Sequence, residues 1–167
     1  MMYGTAGYRR LDALETARAL MDHVTPLTRD CGTLCRKACC LDDGTGENGM
    51  RLFPGEEYYY TGNADFIIRE DRRILCRGTC LRETRPLACR VFPLVFTPDG
   101  RVKPDIRAYP VCPLMAHGMR GLSGEFVRAA RTAARALCRD ERQMAFLLEI
   151  AKEIAAYEAL KDIFKRG

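Results

Sequence analysis

Residues 31–40 read CGTLCRKACC, four cysteines within ten positions. Packing does not require thiols at that density, and adjacent Cys39 and Cys40 are poorly placed to bridge one another. The spacing of Cys31, Cys35 and Cys39 sets three thiols along one helix face, about 6 Å of rise apart. Neighbours at that spacing can share an ion, but all three cannot reach one ion on an unbroken helix. The backbone is therefore expected to leave helical geometry near residues 38–41, with the thiols divided between sites or partners.

Outward from this run, Cys76-x3-Cys80-x8-Cys89 forms a second group, Cys112 follows alone, and Cys138 is the ninth cysteine. Disulfide frameworks belong to oxidising compartments, whereas cytosolic thiols stay reduced. Residues 1–11 (MMYGTAGYRRL) hold no apolar signal-peptide core, and no stretch approaches the roughly 18–20 apolar residues of a membrane span. An odd number of cysteines also leaves one out of any complete disulfide scheme. These features point to a cytoplasmic protein, without a membrane partner, whose thiolates converge on metal. Soft deprotonated sulfur suits zinc, and four cysteines also suit an iron–sulfur cluster. The candidate ligands are Cys31, Cys35, Cys39, Cys40, Cys76, Cys80, Cys89 and Cys112, enough for two four-thiolate sites or one site with spare thiols. Cys138 falls near the apolar face of a C-terminal helix and reads as a packing residue. The two-residue C-x2-C knuckle of zinc ribbons is missing.

A chain of 167 residues, 47% hydrophobic and 29% charged, suits one domain able to bury a core without metal as its only support. The net charge of +5 is too small to establish nucleic-acid binding, and ligated thiolates would lower it. The expected fold is α+β, a single domain over residues 1–167. Residues 8–24 form an N-terminal helix, with Leu11, Leu14, Met21 and Val24 at helical spacing and Pro26 ending it. Residues 31–120 form an irregular cysteine-rich centre with short β-hairpins. Within it, 41–57 reads as a glycine-rich acidic loop, Tyr58–Tyr60 as the start of a strand, 66–76 and 94–103 as hairpins, and 80–93 as irregular. Residues 123–165 form a helical tail, with Ser123 and Asp140 as caps and Phe126, Ala130, Ala133 and Leu137 as one apolar face.

Residues 85–93, Arg-Pro-Leu-Ala-Cys-Arg-Val-Phe-Pro, place Cys89 between two prolines that stiffen the chain on either side. With the run ending at Cys39-Cys40 and the pair Cys76-x3-Cys80, this segment resembles the YkgJ family of cysteine-cluster proteins. That family's pattern includes Arg-Pro-x-x-Cys-Arg-x-Phe-Pro, matched in full here, and a later cysteine matched by Cys112-Pro113. The resemblance spans about residues 31–120 and implies a zinc- or iron-chelating domain. The three-residue gaps in the first run, and a Cys80–Arg85 segment one residue short and without tyrosine, depart from the pattern. A partial likeness to flagellin lysine N-methylases, confined to the cysteine motif, implies the alternative of a metal- or iron–sulfur-dependent enzyme tied to protein lysine methylation.

Arg85 and Arg90 are placed to donate to thiolates or to a carboxylate such as Glu83, or to form surface ion pairs. His23 and His117 are the only histidines; His117 could replace a cysteine as ligand, although a solvated role fits better when thiols are plentiful. No Cys–His nucleophile pair is supported, and no catalytic residue can be named. Asp42, Asp43, Glu47, Glu56 and Glu57 lack the ordered alternation of a calcium loop and read as solvated loop acids. Arg128, Arg131, Arg135 and Arg139 line one edge of a helix. Such runs are common on solvated faces, and no aromatic platform accompanies this one. The remaining alternative is an adaptor with a structural metal, in which this stripe binds nucleic acid or a protein partner.

Overall fold

The computed structural model describes residues 12–27, 49–76 and 81–165. The fold is α+β, with helices at both ends of the described chain and two small antiparallel sheets between them. Helix α1 spans Ala13–Leu20 and begins with a capping box: Asp12 accepts from the Glu15 amide while the Glu15 carboxylate accepts from the Asp12 amide. The helix expected over 8–24 ends at Leu20, short of its expected bound, and residues 8–11 lie outside the described residues.

The first sheet has three strands, β1 (Met50–Arg51), β2 (Phe66–Ile68) and β3 (Arg73–Cys76), in the order β1-β3-β2. β2 and β3 form the hairpin expected from sequence, with Phe66 opposite Cys76. β1 was not expected; it lies inside the stretch read as loop, with Met50 opposite Ile74. Gly49 leads into it at φ +109°, where an added Cβ would meet the Ile74 carbonyl oxygen at 2.9 Å. Only glycine meets both the dihedral and the close approach.

Tyr58–Tyr60 do not begin a strand. Residues Glu56–Tyr59 form a 3₁₀ turn that follows Pro54 and left-handed Gly55. The stretch expected to be irregular, 80–93, contains a 3₁₀ turn at Arg82–Thr84 and a short helix α2 at Leu87–Val91, bounded by Pro86 and the cis Phe92–Pro93 bond. β4 (Leu94–Phe96) and β5 (Val102–Pro104) pair as expected, Val95 opposite Lys103. The link to the tail is 3₁₀ in character over Pro113–Gly121, broken at Gly118.

Helix α3 (Gly124–Leu137) buries Phe126, Ala130, Ala133, Ala134 and Leu137, and it packs on α1. Its small residues let the two helices approach closely. Ser123 occupies the cap position without a side-chain cap bond; its amide instead donates to the Pro26 carbonyl at 2.8 Å and so ties α3 to the end of α1. Asp140 does cap α4 (Glu141–Lys165), accepting from the Gln143 amide at 3.0 Å. Phe146, Leu147, Ile150 and Ile154 of α4 join the main core with Leu14, Met21, Phe53, Leu94 and Phe96. Phe53 is central there, edge-on to Phe146 at 4.9 Å and to Phe96 at 5.9 Å. Arg51 pairs with Glu149 and Glu153, and Gln143 donates to the Pro54 carbonyl at 2.8 Å, so polar ties reinforce the same contact. A second, smaller cluster holds Leu52, Tyr60, Phe66, Ile74 and Cys76.

Phe126 is fully buried where α3 meets α1. Phe126→Ala is expected to cost about 3–5 kcal/mol of unfolding free energy by denaturant titration; a loss under about 1 kcal/mol would contradict this packing.

Candidate metal centre

A buried carboxylate ties three segments of the chain together. Glu56 is fully buried, and its oxygens accept from three directions. Arg18 of α1 donates through Nη1, the Phe53 amide donates at 3.0 Å, and the Leu87 amide, first of helix α2, donates at 2.8 Å. Burial pushes the Glu56 carboxyl above its usual range, opposed by Arg18 and by the two amides. Arg18 also donates to the Tyr60 hydroxyl at 3.2 Å and stacks over the Tyr59 ring at 4.5 Å. One ion pair thus joins α1, the 53–60 turn and the helix that carries Cys89. Sequence reading placed Glu56 among solvated loop acids; the structure corrects this, because Pro54 and Gly55 turn the chain so that Glu56 points inward.

Arg90 supports the same helix. It is buried, and it spends its donors on the carbonyls of Glu83 (2.7 Å), Arg85 (2.8 Å) and Arg18 (3.2 Å) and on the Asp22 carboxylate (2.8 Å). The expected contact with the Glu83 carboxylate is replaced by one with its main chain. A planar fork held at four points leaves its own turn of helix little freedom. The neighbouring residue in that turn is Cys89, half-buried.

The Tyr60 hydroxyl is pushed well above the usual phenol range, first by burial, then by Glu56, with Cys89 adding in the same direction and Arg18 opposing. Cys89 therefore lies within electrostatic reach of the Tyr60 hydroxyl, which stays protonated at neutral pH. On the other side Tyr60 packs edge-on to Phe66 at 4.9 Å, and Phe66 is the register partner of buried Cys76. Cys76 shares the smaller buried cluster with Tyr60 and Phe66.

Cys112 is buried in the main core, its amide on the Ala108 carbonyl at 2.7 Å, whereas Cys76 belongs to the smaller cluster. Cys138 points its sulfur at the carbonyls of Thr97 (3.7 Å) and Pro98 (3.5 Å), and burial raises its thiol; it packs against the β4–β5 turn as expected. Cys31, Cys35, Cys39, Cys40 and Cys80 lie outside the described residues, as do Asp42, Asp43 and Glu47. His23 and His117 are both exposed. No disulfide joins the described cysteines to one another. Among the described residues no three Cys, His, Asp or Glu side chains form a group able to hold a metal ion, and no helix is long and apolar enough to cross a membrane.

Two of the four described ends that border the cysteine-bearing stretches lie at β3. Gly49, directly after residues 28–48, rests against Ile74 and Leu75 of β3; Cys76, directly before residues 77–80, ends that strand. Comparison with known proteins adds no relative: no family model matches the chain, and neither a curated protein nor a solved structure is significantly similar to it.

Breaking a buried ion pair by removing one partner costs about 3–5 kcal/mol, because the other charge is left uncompensated. Glu56→Gln is expected to lose about that much in urea denaturation, and Arg18→Met combined with it to lose clearly less than the sum of the two single changes. Additive losses would show that the two residues act separately.

Proposed function

We propose that this protein holds zinc or iron, as single ions or as an iron–sulfur cluster, through its clustered cysteines, and that it works as a metal-binding protein of the cytoplasm. The observation that carries the reading is the clustering of cysteines along the chain, with Cys89 on a short helix held by Glu56 and Arg90 and Cys76 buried beside Tyr60 in the smaller core cluster. Soft sulfur donors fit these metals rather than magnesium or calcium. Two thiols do not complete a tetrahedral thiolate site. In this reading the further donors come from Cys31, Cys35, Cys39, Cys40 and Cys80. A reduced compartment keeps them as thiols.

The residues around Cys89 have definite tasks. Glu56 and Arg90 hold the helix of Cys89 in place before any metal binds. Such outer groups orient ligands, and their loss lowers affinity. When bound, the metal takes up thiolate charge and releases the thiol protons. Arg18 and a protonated Tyr60 keep the surroundings of that negative site favourable.

The test is metal analysis on protein purified without oxygen. The wild type is expected to carry stoichiometric zinc or iron, Cys89→Ser and Cys76→Ser each to lower it severalfold, and Cys138→Ser to leave it unchanged. A wild type with reduced thiols and no metal, or variants at positions 76 and 89 with full metal, would overturn the proposal.

A further inference from the structure

Helix α3 buries one face against α1 and exposes the other, and the exposed face is cationic. Arg128, Arg131 and Arg135 stand there in the open, and Arg139 in the turn after the helix, Arg120 before it and Arg142 at the start of α4 are also exposed. Arg128, Arg131 and Arg135 follow one another at about 4.5 to 6 Å of rise along the helix, and Arg139 continues the row in the turn after it.

What separates this row from an ordinary solvated face is how the protein treats its other arginines. Arg18, Arg51, Arg72, Arg73, Arg90 and Arg107 each meet a carboxylate. Among the described residues none of the six arginines between 120 and 142 has an acidic partner within 4 Å. Arg135 reaches only the Thr132 hydroxyl, at 3.4 Å on the same edge. The nearby acids do not fill the gap: Asp140 is engaged in capping α4, Asp99 pairs with Arg101, and Glu125, one turn before Arg128, is not within 4 Å of it. Four like charges along one edge repel one another, at a cost the fold does not relieve internally. The row contains no lysine, and guanidinium forks suit the paired oxygens of phosphate. No exposed aromatic side chain lies among these arginines to stack a base.

We propose that this edge of α3 binds the phosphate backbone of a single nucleic-acid strand, one phosphate to each arginine of the row. Contact through phosphate alone makes the binding independent of base and of sugar. The inference uses none of the cysteines, so it stands or falls independently of metal.

Fluorescence anisotropy with labelled U20 RNA and with dT20 DNA, on the full chain as purified, tests this. The two strands are expected to bind equally. Log affinity should fall with log salt at a slope of about −3, from about 0.7 per contact over four phosphates. The variant with Arg128, Arg131, Arg135 and Arg139 all changed to Gln is expected to keep its thermal midpoint and bind at least about tenfold more weakly. The fourfold Arg→Lys variant should retain the salt slope. The proposal is overturned by no binding at low salt or by an unchanged fourfold Gln variant. A marked preference for one sugar, or tighter binding to a polyglutamate peptide or to anionic vesicles, also overturns it.

Discussion

A carboxylate removed from water must find donors or lose its charge, and Glu56 draws its donors from three segments of the chain. Arg18 comes from α1, the Phe53 amide from the turn before β2, and the Leu87 amide from the start of α2. None can withdraw without leaving a charge or a dipole buried and unmatched. That requirement joins the N-terminal helix to the middle of the chain, where the apolar contacts alone would allow sliding. Arg90 repeats the connection a turn later, bonding the main chain of both α1 and the 83–85 segment.

The consequence falls on Cys89. It occupies a helix of five residues, too short to hold its own shape, between a proline and a cis proline bond. Its position is set from outside, by the Glu56 carboxylate at the helix start and by the Arg90 guanidinium beside it. Cys76, at the end of β3, is buried in the same small cluster as Tyr60. In the proposed metal site, a donor held as Cys89 is would lower the ordering cost that a site assembled wholly from loops bears in full.

The two tail helices, most of α1 and both hairpins were legible because their apolar residues recur with the period of the element, as in Phe126, Ala130, Ala133 and Leu137 of α3, whereas the five residues of α2 are too few to show a period. The turn at 54–59 was not. Three consecutive tyrosines carry strand propensity, and only their contacts with Arg18 and Phe66 make a 3₁₀ turn the better solution. β1 has two residues, too few for any periodic signal. Of the site, the cysteines and the Arg-Pro-x-x-Cys-Arg segment stood out in the sequence. Glu56, Arg18 and Tyr60 did not, since a buried ion pair spanning 38 residues leaves no local pattern. The one available signal was Pro54-Gly55 directly before Glu56-Glu57, a turn able to aim one of two acids inward.

X-ray absorption at the metal edge, on protein prepared and frozen without oxygen, addresses the ligand set itself. A first shell made of sulfur, at about 2.3 Å for zinc, is the predicted result. A shell of nitrogen and oxygen, or no metal edge from protein whose thiols titrate as reduced, would contradict the assignment of these cysteines as ligands.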